Sequence, residues 1–242
     1  MAARGADAHA RAANRQRYGD GEDVRRYLAD PYHRTRRAIA VRLLVEALPG
    51  PGAGGSAAPI LEIGTGSRGM LDGAADLPYP VVEADLAVDA LRGAGTAVCF
   101  DAACSVPLRT GSLAAVVMGE LIEHVYDPVR LLAECHRALR PGGVLVLTTP
   151  NLANVQDRLR FLLGHAPRHI DPLHPYLRLH IRPFTLSLLD RTLRAAHFRP
   201  ISVRSNYVVW RLSSGRWWKS RLLARFAPGL GGSLVLSARR IP

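Results

Sequence analysis

The chain reads as an α/β protein built on a mostly parallel, doubly wound sheet, and three observations predict it. Short apolar runs end repeatedly in a carboxylate: Ile60-Leu61-Glu62-Ile63, Pro80-Val81-Val82-Glu83-Ala84-Asp85 and Phe100-Asp101. Segments with strand and helix character alternate after residue 69, as parallel strands joined by crossovers require. The first run breaks into Gly64-Thr65-Gly66-Ser67-Arg68-Gly69, a pattern that lets the backbone turn tightly and lets a ligand lie against bare main chain.

Residues 70–75 (Met70, Leu71, Ala74, Ala75) are compatible with a helix after these glycines, whose N–H groups would receive a negatively charged group. Asp85 follows the first glycine at the distance where a strand-tip acid accepts hydrogen bonds from ribose hydroxyls. Two nucleotide readings fit so far. A dinucleotide site favours an apolar residue at position 62 and uses the third glycine for packing. The other reading needs the acid that Glu62 supplies.

Two further stretches decide between them. Ser112–Met118 is a buried strand leading into Gly119-Glu120-Leu121-Ile122-Glu123-His124, and Leu139–Asn151 gives a helix end, a Pro-Gly-Gly turn and another strand. In order and spacing the series resembles the class I S-adenosylmethionine-dependent methyltransferases, closest to the branch of small-molecule, ubiquinone-type O-methyltransferases, over roughly residues 35–240. The resemblance implies a Rossmann-like seven-stranded sheet in the order 3-2-1-4-5-7-6, strand 7 antiparallel, with helices on both faces. It also implies S-adenosylmethionine as cofactor. Glu62, Gly64, Thr65 and Gly66 would flank its methionine end, Asp85 and Leu86 its ribose, Asp101 and Ala102 its adenine, with Glu120 bordering the site. One departure stands out: Arg68 occupies a position where that family commonly has glycine. Its guanidinium either lies in solvent or reaches the cofactor carboxylate.

Glu120-x-x-Glu123-His124 carries the most distinctive chemistry. Two acids and an imidazole within five residues can converge on a divalent cation. In some ubiquinone-type enzymes such a loop is a metal site. With a later histidine it serves the RNA 3′-terminal 2′-O-methyltransferases, and here His180 in His180-Ile181-Arg182-Pro183-Phe184-Thr185 would be that ligand. One reading is a Mg²⁺ or Mn²⁺ site of Glu120, Glu123, His124 and His180, with Glu123 and His124 as the catalytic residues. A second makes His124 a proton acceptor without metal, and a third gives the loop a purely positional role, the first acid bordering the cofactor and the histidine packing. An NAD oxidoreductase is the residual alternative.

The 242 residues carry 32 Lys and Arg against 20 Asp and Glu, a net charge of +12. That permits an acidic substrate, nucleic acid or anionic lipid without requiring one. No apolar run reaches the roughly 20 residues of a spanning helix, and no signal-peptide core is evident, so a cytoplasmic enzyme is expected. Cys99, Cys104 and Cys135 form no metal or disulfide pattern.

Residues 1–17, rich in Ala and Arg, read as a disordered arm. Residues 18–52 form a helical cap, with Ala38, Val41, Leu44, Val45 and Leu48 as its stripe and Tyr18, Tyr27 and Tyr32 as candidate acceptor-pocket residues. The catalytic domain occupies 53–242. Within it, Asp127-Pro128 opens a helix over Val129–Leu139. Residues 151–184 form an inserted lid, with an amphipathic helix (Leu152, Val155, Leu159, Phe161, Leu162, Leu163) and then His165, His169, His174 and His180. Phe184-Thr185 starts a further helix; residues 199–209 and 232–238 give the sixth and seventh strands. The Trp/Arg-rich segment 210–226 reads as a helix facing a lipid interface, its own domain or a second subunit. The expected partner is a small-molecule acceptor; no separate RNA-binding module and no aromatic-basic stacking surface near the loop point to nucleic acid.

Overall fold

The computed structural model describes residues 30–48, 58–66, 68–74, 77–174, 177–211 and 214–242. The arm at 1–17, Tyr18, Tyr27 and the glycine-rich stretch at 49–57 lie outside them.

The sheet forms because its central strands are too apolar to face water on either side. β1 (Ile60–Ile63) is buried throughout, between β2 (Val81–Asp85) and β4 (Leu113–Gly119), both parallel to it. β3 (Ala97–Cys99) pairs with β2, and β5 (Leu139–Pro150) pairs parallel with β4. β6 (Phe198–Ser205) closes one edge through β9 (Ser233–Arg240), which runs antiparallel to both β5 and β6. The order is β3-β2-β1-β4-β5-β9-β6. This is the expected topology. The antiparallel strand is ninth in the chain only because a separate hairpin, β7 (Val208–Arg211) with β8 (Trp217–Ser220), precedes it.

Alternation along the strands sorts their side chains into two layers. Leu145 and Leu147 of β5 join a core with Leu131, Leu132 and Cys135 of α2 (Pro128–Ala138) and Leu189 and Leu193 of α4 (Leu186–Ala195). Val144 and Val146 point the other way, onto Ala40, Leu43 and Leu44 of α1 (Pro31–Ala47). Asp127 and Thr185 cap α2 and α4 as their sequences suggest.

Four local expectations are corrected. Residues 68–74 after the glycine loop are bends and turns, not a helix, because Glu62 claims the N–H groups of Met70 and Leu71. The buried stripe of α1 is Arg36, Ala40, Leu43, Leu44 and Ala47, whereas Ala38 and Val45 face solvent. The segment 210–226 is mostly the β7–β8 hairpin; only α5 (Arg221–Phe226) is helical. In the lid, α3 (Val155–Leu162) buries Asp157 and exposes Leu159, Phe161 and Leu162. Its amphipathic period is real, but the face it presents inward is the polar one.

Candidate active site

The carboxyl ends of β1, β2, β4 and β5 converge on one edge of the sheet, where ligands of such folds bind. At the end of β1, Gly66 has φ +54°, a conformation that favours glycine, and its N–H donates to Asp85 Oδ2 over 2.8 Å. Asp85 Oδ1 accepts from Ala87 N at 2.9 Å. The carboxylate therefore ties the glycine loop to the tip of β2 and still has lone pairs to offer. Next to it, Leu86 accepts the Cys99 thiol through its carbonyl, and Phe100 N–H donates to the Asp85 carbonyl. Beyond β3, Asp101 Oδ1 accepts from Ala103 N at 2.9 Å, and Ala102 packs on the core.

Glu62 does something different. It is buried, and its two carboxylate oxygens accept from Met70 N and, at 3.1 Å, Leu71 N. Burial pushes its pKa up to about 7, against the pull of those two hydrogen bonds. A Cβ on Gly69 would stand 2.5 Å from Glu62 Oε2. The third glycine thus makes room for this carboxylate. Arg68 is exposed and pairs with Asp72 at 3.6 Å, so the solvent reading of that residue holds.

Thr65 is buried, and its Oγ1 has no hydrogen-bond partner among the described residues. Gly64 approaches Leu121 of the β4 loop so closely that a Cβ there would meet Leu121 Cδ1 at 3.3 Å.

After β4 the backbone turns sharply. Glu120 has φ +51°, an uncommon conformation for a residue with a side chain, and its N–H donates to the Thr148 carbonyl. Its carboxylate receives Arg36 Nη1 at 2.8 Å and the Thr148 hydroxyl at 3.2 Å. Glu123 lies in the following 3₁₀ turn, fully buried. Thr149 Oγ1 donates to its Oε2 at 3.0 Å, while Oε1 has no hydrogen-bond partner among the described residues. Burial, and then the charge of Glu120, raises its pKa well above the ordinary carboxylate range.

Across from Glu123 stand two imidazoles. His124 Nδ1 lies 3.0 Å from the Leu179 carbonyl; since only an N–H can satisfy that oxygen, Nε2 carries the lone pair. Its ring meets His180 edge to face, centroids 4.9 Å apart. Burial lowers His124 to about 4; His180 falls to about 3 through burial and the neighbouring imidazoles, so both are neutral near pH 7. Glu123, His124 and His180 each offer one ligand atom, all within 4.8 Å of one another. A carboxylate and two neutral imidazoles are a donor set that first-row divalent metals such as Mn²⁺ accept. Mg²⁺, which prefers an all-oxygen shell, suits it less well. Glu120 is not in this group: Arg36 holds it, which corrects the four-residue set expected from sequence.

Behind the histidines lies a buried anchor. Asp157 accepts from Asn154, from Arg168 N at 3.1 Å and from His169 Nδ1 at 2.9 Å, and the His169 ring stacks on His180. Burial alone would raise the Asp157 pKa, but these donors hold it below the usual value. Sequence reasoning missed Arg36, Thr148, Thr149 and Asp157. The one local signal was a charge interrupting an apolar period, at position 36 in α1 and at 157 in α3.

A sequence-family profile described as a methyltransferase domain matches residues 24–203. The chain belongs to the class I S-adenosylmethionine-dependent methyltransferases. Membership makes the chain a methyltransferase domain and sets aside the dinucleotide reading of its glycine pattern. An S-adenosylmethionine-dependent methyltransferase of Mycolicibacterium smegmatis is 36% identical over 93 residues, 38% of this chain and 31% of that protein. A ubiquinone biosynthesis O-methyltransferase of Xanthomonas oryzae pv. oryzae is 35% identical over 104 residues, 39% of this chain and 44% of that protein. The chain thus aligns with less than half the length of each. Among solved structures, a methyltransferase of Thermotoga maritima superposes with a TM-score of 0.61 at 18% identity, covering 90% of this chain and 95% of that one. That likeness speaks for the fold alone.

Proposed function

We propose that this methyltransferase moves the methyl group of S-adenosylmethionine to an oxygen of a small-molecule acceptor. The observation that carries the reading is the convergence of Glu123, His124 and His180 within 4.8 Å, with a buried Glu123 oxygen left unpartnered. A donor set of this kind suits an acceptor that binds through oxygen.

In this reading Asp85 uses its remaining lone pairs on the ribose hydroxyls, and Leu86 borders the same ring. Asp101 and Ala102 flank the adenine. Gly64, Thr65 and Gly66 leave bare main chain and one unpartnered hydroxyl toward the methionine end, where Arg36 and Glu120 form the far wall. Glu62 acts through the loop it shapes. The sulfonium supplies an already activated methyl, so the protein's main task is alignment of nucleophile, methyl carbon and sulfur.

The residues fit a divalent cation of the Mn²⁺ type, held by Glu123, His124 and His180. Bound there, it would lower the pKa of an acceptor hydroxyl. Without a metal, His124, whose Nε2 carries the lone pair, is the group able to take the hydroxyl proton. The lid at 151–184 covers this set: His180 comes from it, and its Leu179 carbonyl orients His124. The free Cys99 and Cys104 thiols, both exposed, suit a reducing cytoplasm. An RNA 3′-terminal acceptor is less well supported, because Glu120 belongs to Arg36 and not to the ligand set.

The test is methyl transfer to paired acceptors that offer either vicinal hydroxyls or an amine on the same ring, with and without EDTA. An O-methyl product whose formation EDTA suppresses is expected. N-methylation alone, unaffected by EDTA, would remove the proposal.

A further inference from the structure

Nine of the seventeen large apolar side chains exposed among the described residues belong to two short segments, 159–163 and 217–226. In α3 and the residue after it, Phe161 is 69% exposed and Leu162 78%, because the helix has turned Asp157 inward. Helix α5 repeats the pattern: Ala224 is buried, while Leu222 and Phe226 project into solvent. The two segments belong to one surface. A groove of about 360 Å³ between them is lined, among the described residues, by Val155, Val208, Trp210, Trp218 and Leu223, which come from α3, both strands of the hairpin and α5. Arg168 of the lid places its guanidinium over the Trp217 ring, 5.2 Å from the centroid.

Charge along the C-terminal stretch of the chain has one sign. Residues 191–242 contain eleven Arg and Lys and no Asp or Glu. Arg216, Lys219, Arg221 and Arg225 interleave with the exposed aromatics and leucines of the hairpin and α5, and Arg158 and Arg160 do the same in α3. Soluble proteins seldom leave so much contiguous apolar surface without a partner.

We propose that α3, the β7–β8 hairpin and α5 form a docking surface for an anionic lipid bilayer. Charge complementarity selects the occupant. Basic side chains supply attraction to negative headgroups. Leu162, Phe161 and Phe226 supply area for the acyl boundary, and tryptophans sit well at headgroup level. A second copy of this chain would bring arginines against arginines. A nucleic acid would use the cations and the tryptophans but would leave the leucines in water. Among the described residues no helix is long and apolar enough to cross a membrane, so the protein lies on the bilayer. Through Arg168 and Trp217 the docked face adjoins the lid that carries His169 and His180. The inference stands independently of which atom is methylated.

All three tryptophans of the chain, Trp210, Trp217 and Trp218, lie in this surface, so intrinsic fluorescence reports on it directly. The probes are vesicles of phosphatidylcholine with phosphatidylglycerol, and of phosphatidylcholine alone. A blue shift and co-sedimentation with the anionic vesicles only, reversed by about 0.5 M salt, are expected. Phe161→Ser with Leu162→Ser, and separately Arg221→Glu with Arg225→Glu, should each weaken partitioning at least about tenfold. Calorimetry with S-adenosylhomocysteine, unchanged in both variants, shows that they remain folded. No binding to anionic vesicles, or equal binding to neutral ones, overturns the proposal. So does a fluorescence shift that tracks dimer formation in the ultracentrifuge without lipid, or that single-stranded RNA produces and vesicles cannot compete away.

Discussion

Arg36 of α1 and Glu120 at the tip of β4 form a nearly buried ion pair, Nη1 to Oε2 2.8 Å, with side chains 4% and 16% exposed. It joins an N-terminal helix to the carboxyl edge of the sheet, across a sequence separation that no local pattern spans. Glu120 reaches it only by adopting a positive φ, and Thr148 steadies its other oxygen. Removing one partner of such a pair leaves an uncompensated charge, which typically costs about 3–5 kcal/mol. Arg36→Met should therefore lower stability by about that amount in urea unfolding. The double variant with Glu120→Gln should recover a good part of the loss. If the pair also walls the methionine end of the cofactor site, Arg36→Met weakens S-adenosylhomocysteine in calorimetry by about tenfold or more. Unchanged affinity would leave the pair a purely structural strut.

The separation of Glu120 from Glu123, His124 and His180 gives a second prediction. Mn²⁺ binding, followed by the loss of the free-ion paramagnetic signal, should fall at least about a hundredfold in Glu123→Ala and in His180→Ala. In Glu120→Gln it should stay within about threefold, since that carboxylate is engaged by Arg36 and Thr148. Equal losses in all three variants would restore the four-residue site that the sequence suggests.

Glu62 predicts a pH dependence of stability. Its folded pKa, about 7, lies above the ordinary value of 4.5 because burial disfavours the charged form. The folded state therefore holds this proton more tightly than the unfolded chain does. The stabilisation is complete below about pH 4.5 and is lost as pH rises through about 7, an effect on the order of 3 kcal/mol. Glu62→Gln carries no such proton. The difference in urea midpoint between wild type and Glu62→Gln should thus shift in the variant's favour from pH 5 to pH 8. A constant difference would mean that the Met70 and Leu71 N–H groups keep the carboxylate ionised throughout.

The sheet was legible in the sequence because each buried parallel strand writes itself as an apolar run and its catalytic end as an acid or glycine. Ile60–Ile63 and Leu113–Gly119 are of this kind, and Asp127-Pro128 marks its helix start through local capping chemistry. What stayed hidden depends on partners far along the chain. Period alone says that α3 is two-faced, but not that Asp157 is the inward side; that follows from Asn154, Arg168 and His169 gathering around it. The hairpin reads as a helix in sequence because Trp210 pairs across strands with Trp218, and Arg211 with Trp217, around a turn with Gly215 at φ +79°, a relationship invisible to helical spacing. Glu120 looked like a ligand for the same reason: its spacing from Glu123 fits one, and only α1 in place reveals Arg36.

Asp157 yields the last prediction, because it holds the lid by hydrogen bonds and not by apolar packing. Its two oxygens gather Asn154 Nδ2, the Arg168 N–H and His169 Nδ1, and His169 in turn stacks on His180. Asp157→Leu would strand three donors in a buried site, each costing about 1–3 kcal/mol unless the segment opens to water. The sheet shares none of these bonds, so the expected response is local opening. Limited proteolysis between 165 and 174 should accelerate while the global urea midpoint moves little. With His180 no longer held, Mn²⁺ affinity should drop by about 10–100-fold, as it does when the support of a ligand is lost. Asp157→Asn, which keeps one acceptor for Arg168 or His169, should fall between the two. A variant that unfolds globally at lower urea with no change in proteolysis at the lid would place Asp157 in the core of the domain instead.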